Sequence, residues 1–324
     1  MRAIIGERYG LPSEVLRLRD VEPPAVAEDR VLVRVHAASL NAMDWHLIMG
    51  RPILARATTG LTKPKDPRTG SDFAGVVEAV GAGVTGFVPG DAVFGSTSGA
   101  LGELVAPRAA GLAHKPASLS LEQAAALPVA GATALQAIRT HARLAAGETV
   151  LVLGAGGGVG SFAVQIAAAD GGRVTAVTGP ASVDAVKGLG AERVVNRDAE
   201  DILTGRERFD VVLDAGGFAS SGALLRLLTP SGRAVVVGAG ASSSLGLVAG
   251  MAAAGIRGRL AGRPIVNFIA TMNRESLDAL AALADAGRLE PLLGRTIALA
   301  DVPSALDEMV SGGTRGKTVV RVAG

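Results

Sequence analysis

Residues 149–160 read Thr149-Val-Leu-Val-Leu-Gly-Ala-Gly-Gly-Gly-Val-Gly160, and Ser161-Phe-Ala-Val-Gln-Ile-Ala-Ala-Ala169 follows. An apolar run of strand length stops at Gly154, and an apolar, alanine-rich stretch of helical character begins after Gly160. Gly154, Gly157 and Gly160 recur every third residue, with Gly156 and Gly158 between them. In a strand–turn–helix unit the first glycine makes a tight turn and the next lets backbone approach a pyrophosphate. The third lets helix and strand pack closely. Phosphates then sit on the helix N-terminus, where free N–H groups and the helix dipole favour negative charge. The competing reading is a glycine-rich turn with no ligand; the strand before it and the helix after it favour the phosphate cradle.

Strands and helices alternate from here on. Strands are expected at about 149–153, 173–178, 193–196, 209–213 and 233–237, with helical segments between them. A βαβαβ series of this kind makes a parallel, doubly wound sheet, the Rossmann type of α/β domain. The first hundred residues are β-rich instead. Val31-Leu-Val-Arg-Val-His-Ala37 alternates, Gly75-Val-Val-Glu-Ala-Val80 is β-branched, and a Pro-Gly-Asp turn precedes Ala92-Val-Phe94. Leu121 to Arg143 is Ala- and Leu-rich with helical spacing. The tail predicts a helix over Arg274–Ala286, a strand near Thr296–Leu299, a helix from Val302 and a last strand at Thr318–Val322. The expected organisation is a β-rich domain over 1–120, completed by 272–324, and a Rossmann domain over 121–271.

Composition narrows the function classes. A chain of 324 residues with 48% hydrophobic and 19% charged residues is globular and long enough for two cores. A net charge of +2, spread evenly, makes no field for nucleic acid. With 0 cysteines, disulfides, thiolate metal sites and a Cys nucleophile are excluded. The N-terminus meets Glu7 and Arg8 before any apolar stretch of signal-peptide length. Ala234–Ile256 is uncharged and long enough to span a bilayer, but its glycines and serines read as a strand, a loop and a short helix. The expectation is a cytoplasmic protein without a membrane or nucleic-acid partner.

The second strand of the doubly wound series identifies the dinucleotide. An NAD site carries an Asp or Glu at the end of that strand to grip the ribose 2′-hydroxyl. Here the strand ends in Thr178-Gly-Pro-Ala-Ser182, and no acid lies between Asp170 and Asp184. The hydroxyls of Thr178 and Ser182 tolerate a 2′-phosphate where a carboxylate would repel it. Arg197 closes the third strand, which neighbours the second in such a sheet, so a guanidinium is placed for that phosphate. The rival reading of Arg197 is a solvated surface arginine. The expected cofactor is NADPH.

Four stretches in order, Leu40-Asn-Ala-Met-Asp-Trp-His-Leu-Ile-Met-Gly50, Gly70 to Gly95, Glu122 to Ile138 and Val150 to Ala167, are similar to the medium-chain dehydrogenase/reductase superfamily. More narrowly the chain resembles the zinc-independent quinone oxidoreductase (zeta-crystallin-like) branch, through to Asp301–Val320. The resemblance implies a GroES-like catalytic domain, a Rossmann domain and an active site in the cleft between them. Zinc alcohol dehydrogenases carry a Cys near the position of Asn41 and Gly-His-Glu near Gly70-Ser-Asp72. This chain has neither, and of its 4 histidines His36 and His114 read as structural. A catalytic zinc needs three protein ligands, so no metal is expected.

By the same resemblance Asn41 lies close to the nicotinamide, and His46 faces the pocket, where it donates a hydrogen bond or a proton; a surface histidine is the alternative. Asp44 and Trp45 read as structural. Cofactor contacts implied are Thr133, the loop Gly157-Gly158-Val159, Asp214-Ala215-Gly216 and Val237-Gly238. Asn267, Phe268 and Ala270 would line the nicotinamide side, and Lys317 would reach a phosphate. Leu153 and Gly156 depart from the family's polar residues there, which leaves the backbone cradle intact. Similar proteins pair sheet edges across a two-fold axis, so a homodimer is expected. The leading function is NADPH-dependent hydride delivery to a small quinone or α,β-unsaturated carbonyl. The alternatives are an NADPH-binding redox sensor or structural protein, and a dedicated reductase of a biosynthetic pathway.

Overall fold

Val150 to Leu153 are all buried, as a strand covered on both faces requires. The computed structural model describes residues 1–237, 244–312 and 315–322, without the side chains of 244–249 and 251. In it this strand belongs to a six-stranded sheet, parallel throughout. Across the sheet the order is Arg193–Asn196, Arg173–Thr178, Thr149–Leu153, Phe209–Asp214, Leu228–Val236, Ile265–Asn267. The chain winds outward from Thr149–Leu153 in one direction and then returns to start again on its other side. Ligands of open α/β sheets bind at such a switch point, outside the carboxyl ends of the strands. The core beneath holds Leu151, Val212, Leu224, Leu227, Ala234 and Ile265.

This sheet lies in one of two compact units, Thr133–Thr271; the other is Met1–Ala132 with Met272–Gly324. In the second unit Val31–Ser39 pairs antiparallel with Asp72–Val80 on one side and with Lys317–Arg321 on the other. The C-terminal strand thereby completes the N-terminal sheet. Alternating burial along Val31–Ser39 puts Val31, Val33 and Val35 in a core with Phe73, Val93, Leu112, Val302 and Leu306.

Several elements differ from expectation for local reasons. The helical stretch from Leu121 to Arg143 is three pieces: Leu121–Ala125, Pro128–Leu135 and a wider π-wound turn over Gln136–Ala142. Pro128 lacks an N–H and disfavours helical geometry at the residue before it, and Arg143 stops the last piece with φ 51°. The fifth Rossmann strand begins at Leu228, which pairs with Phe209; residues 229–232 then bulge before Arg233 meets Val211. Ser244–Leu260 is a helix of 17 residues, not a short one. The three-residue strand Ile265–Asn267 carries no alternation long enough to be read from sequence. Among the described residues no helix is long and apolar enough to cross a membrane.

Glycine 160 sets the distance between the first Rossmann helix and its strand. A β-carbon there would overlap the carbonyl oxygen of Gly154 and lie 2.8 Å from Ala155 Cα. Backbone cannot yield as a side chain does, so Gly160→Ala should cost about 1–3 kcal/mol, the usual range for overpacking. A denaturant midpoint unchanged from wild type would show that the loop relaxes without penalty.

Candidate active site

At Gly154 the chain turns with φ 80°, a conformation that favours glycine. The N–H groups of Gly154 and Ala155 both donate to Val177 O, at 3.0 and 2.9 Å, which binds the loop to the neighbouring strand. Gly157 caps the helix Gly158–Ala169 without a side chain. The first-turn N–H groups, Gly158 and Val159 among them, have no intrahelical acceptors. A β-carbon on Gly157 would meet only Gly154 O, at 3.4 Å, so its outer face is open. Gly156 is closed on the inner side: a β-carbon would sit 2.6 Å from Ser182 Cβ and would overlap the Thr178 hydroxyl. A glycine-lined, N–H-rich concavity fits a pyrophosphate.

The second and third strands lie side by side, with Asn196 opposite Thr178 and Arg197 N donating to Thr178 O at 3.0 Å. Thr178 and Ser182 are buried beside Gly156. The Arg197 guanidinium runs along Gly179, and its Nη2 lies 3.5 Å from where a Gly179 β-carbon would be. Its side chain is 64% exposed and pairs with Asp198 at 3.6 Å. A surface pair of that kind is worth little, so the guanidinium is available to a stronger anion.

Farther along the sheet, Ala215 N donates to Leu153 O at 3.1 Å and Val237 N to Asp214 O at 2.8 Å. These bonds align Ala215, Gly216 and Val237 with the glycine loop on one edge. Phe268 follows the last strand and lies tilted against His141, ring centroids 4.1 Å apart; Ala270 lies two residues on. Thr133 is buried in the helix Pro128–Leu135. Gly238 lies outside the described residues. Asp214 is not a ligand group: it is fully buried and accepts from the N–H groups of Gly216, Phe218 and Ala219 at 3.3, 3.1 and 2.8 Å. It shapes the loop.

Lys317 corrects the expectation of a phosphate contact. Its ammonium is buried in the unit built on Val31–Ser39, where it donates to Asn41 Oδ1 at 2.6 Å and Leu40 O at 3.0 Å and pairs with Asp72 at 3.5 Å. Those contacts use its donors on protein partners. Asn41 Nδ2 donates to Asp72 Oδ2 at 2.8 Å, so both ends of the Asn41 amide are fixed. Ser39 Oγ and Val129 N also donate to Asp72. Asp44, three residues after Asn41, accepts from Asn41 N at 2.7 Å and Ser71 Oγ at 2.5 Å, tying the start of the helix Ala42–Met49. Burial pushes Asp44 up to about 6, raises Asp72 and lowers Lys317, with the opposite charges partly countering the last two. Nothing in the sequence announces this network, because Asn41 and Lys317 meet only through strand pairing.

His46 is half-buried and stacks on Trp45 with ring centroids 3.6 Å apart. Burial lowers its pKa below the usual histidine value, and its buried Nδ1 has no hydrogen-bond partner among the described residues. Beside Asp44 and Ser71 opens a cavity of about 390 Å³, lined by Tyr9, Met43, Leu47 and Thr69 among others. Among the described residues no group of three or more His, Asp or Glu gathers to hold a metal. The residues at the zinc-ligand positions do not fit one: an ammonium already occupies Asp72.

Residues 27–117 match the alcohol dehydrogenase GroES-like domain, and residues 189–320 match a family described as zinc-binding dehydrogenase. The mouse mitochondrial NAD(P)H oxidoreductase RTN4IP1 is 33% identical, over 99% of this chain and 89% of its own. Human quinone oxidoreductase is 31% identical, over 99% and 97%. The chain belongs to the medium-chain dehydrogenase/reductase superfamily, in its quinone oxidoreductase branch. The quinone oxidoreductase of Coxiella burnetii superposes with a TM-score of 0.85 at 28% identity, covering 100% of this chain and 99% of that one. As a member of this superfamily the protein is an oxidoreductase that uses a nicotinamide cofactor.

Asp44 gives the network a pH signature. Its folded pKa, about 6, exceeds the ordinary 3.8, so the folded state keeps a proton that the unfolded chain has released. This stabilisation is complete below pH 4 and is lost as pH rises through 6. Asp44→Asn removes the titration, and its Tm should therefore fall less than wild type between pH 4 and 7, by the equivalent of up to about 3 kcal/mol. Parallel Tm–pH curves would place the Asp44 proton elsewhere.

Proposed function

We propose that the protein is an NADPH-dependent reductase that delivers hydride to a quinone or an α,β-unsaturated carbonyl without a metal. The observation that carries this reading is the sheet edge. A glycine cradle suited to a pyrophosphate is followed by two buried hydroxyls and an available guanidinium, with no carboxylate where a ribose 2′-hydroxyl would need one. NADPH, when bound, supplies the hydride. Thr178, Ser182 and Arg197 hold the 2′-phosphate, and the N–H groups around Gly157 and Gly158 hold the diphosphate.

Polarisation of the acceptor falls to hydrogen bonds. Lys317 and Asp72 hold the Asn41 amide with one N–H spent on Asp72, and its second N–H is the donor we assign to the acceptor oxygen. His46, neutral at pH 7 because burial lowers its pKa, acts as a hydrogen-bond donor rather than a charged acid. The cavity beside Asp44 receives the acceptor. Quinones and enones suit such a site, since hydride enters a conjugated system and the resulting oxyanion takes its proton from water. The similarity to human quinone oxidoreductase supports the acceptor class.

NADPH consumption with a panel of quinones, enones and simple aldehydes tests this. Turnover is expected with the first two classes and should survive chelation. A zinc-dependent activity on alcohols or aldehydes would overturn it. Within the same assay Arg197→Ala should raise the KM for NADPH by roughly ten- to hundredfold, the worth of one charge-assisted contact, and leave that for NADH nearly unchanged. Equal weakening of both cofactors would make Arg197 a fold residue.

We further propose a homodimer formed through the edge of the six-stranded sheet. Ile265–Asn267 closes that edge, and Ile256, Leu260 and Ile269 close by in sequence are 60%, 83% and 93% exposed. An edge strand with apolar neighbours needs a cover. Light scattering should give a dimer mass for wild type and a monomer mass for Leu260→Asp; a wild-type monomer at all concentrations would refute the interface.

A further inference from the structure

Phe218 is 67% exposed, yet its loop is not loose. Asp214 accepts from the N–H groups of Gly216, Phe218 and Ala219, at 3.3, 3.1 and 2.8 Å, and Gly217 turns with φ 66°. The ring lies against the two glycines that precede it, Gly154 and Gly216. A β-carbon on Gly216 would overlap it, and one on Gly154 would come within 3.2 Å of Cε2. These two glycines follow the strands Thr149–Leu153 and Phe209–Asp214, the pair that flanks the switch point. A fixed loop thus presents an aromatic ring to solvent at the place where a dinucleotide would cross from one half of the sheet to the other.

The order of groups along the sheet says which part of the cofactor meets it. Arg197 and Thr178 stand on the second and third strands, the glycine loop on the first, and Gly216 with Phe218 on the fourth, beyond the loop. With the 2′-phosphate at one end and the diphosphate at the glycine loop, the next group along is the nicotinamide-side ribose. We propose that Phe218 is a cofactor-contacting residue whose ring packs against that ribose and closes the open side of the crevice. The inference rests on the dinucleotide reading of the site.

Titration of nucleotide fluorescence and calorimetry test it without turnover. Phe218→Ala should raise the Kd of NADPH and of NADH by the same factor, about three- to tenfold for one aromatic contact. Binding of adenosine 2′,5′-bisphosphate, which lacks the nicotinamide half, should be unchanged, and this also reports that the variant is folded. Phe218→Leu, which keeps apolar bulk, should recover part of the loss. Unchanged or tighter NADPH binding in Phe218→Ala would overturn the proposal, the latter by making the ring an obstruction. Equal loss for the bisphosphate would overturn it too, as a general collapse of the crevice. If wild type binds neither dinucleotide, the reading beneath it fails instead.

Discussion

The ammonium of Lys317 is the charge around which the unit built on Val31–Ser39 is organised. It is 3% exposed, lies 3.5 Å from the fully buried Asp72 and donates to an amide 276 positions away in sequence. Burying one ion costs several kcal/mol even after relaxation, and attraction between partners repays this only when other hydrogen bonds complete the set. Here they do: Asn41, Ser39 and Val129 supply Asp72, while Leu40 and Asn41 accept from Lys317. The network pins the last strand to Val31–Ser39 and fixes the orientation of Asn41 through both ends of its amide. A side chain placed by that many contacts is stiff, and stiffness is what a hydrogen-bonding site needs.

The glycine cradle depends on a different constraint, close approach of the loop backbone to its neighbours, backbone at Gly160 and side chains at Gly156. Gly160 against Gly154 and Gly156 against Ser182 leave no room for a β-carbon. These positions were legible in sequence because they repeat a local pattern, and the strands at 149–153, 173–178 and 193–196 emerged where apolar runs and turn residues placed them. Arg197 beside Thr178 was legible as well, since the winding order of the strands fixes which neighbours which.

What sequence did not disclose is of two kinds. Lys317 opens a short strand where one lysine looks like any surface lysine; only the register that sets Val319 opposite Ser39 carries it inward to Asn41. Phe218 was hidden by the opposite effect. An apolar residue among Gly, Ala and Ser reads as loop filler, and its placement comes from Asp214, a buried carboxylate that accepts from the N–H groups of Gly216, Phe218 and Ala219. One case turns on polar groups meeting across strands and the other on a carboxylate folding its own loop, and periodicity records neither relation. Pro128 is the instructive contrast. Its effect on the helical stretch is local, so the break was available in principle and composition merely outweighed it.

On the proposed reading, the electrostatics of the site also bear on its choice of acceptor. A zinc ion would stabilise a developing alkoxide as a Lewis acid, and ordinary ketones and aldehydes need that help. One or two neutral donors contribute less: losing a single oxyanion donor in a preorganised site costs about 3–4 kcal/mol, which measures what such a donor supplies. A site built on the Asn41 amide and a neutral His46 therefore suits acceptors whose conjugation already spreads the incoming charge. Lys317 sharpens the point. Its charge acts on the Asn41 carbonyl oxygen, polarising the amide so that its N–H groups become better donors, while Asp72 balances that charge within the network. The positive charge that a metal would bring to the substrate is thus held one hydrogen bond away, and the acceptor must be electron-poor enough to do without it.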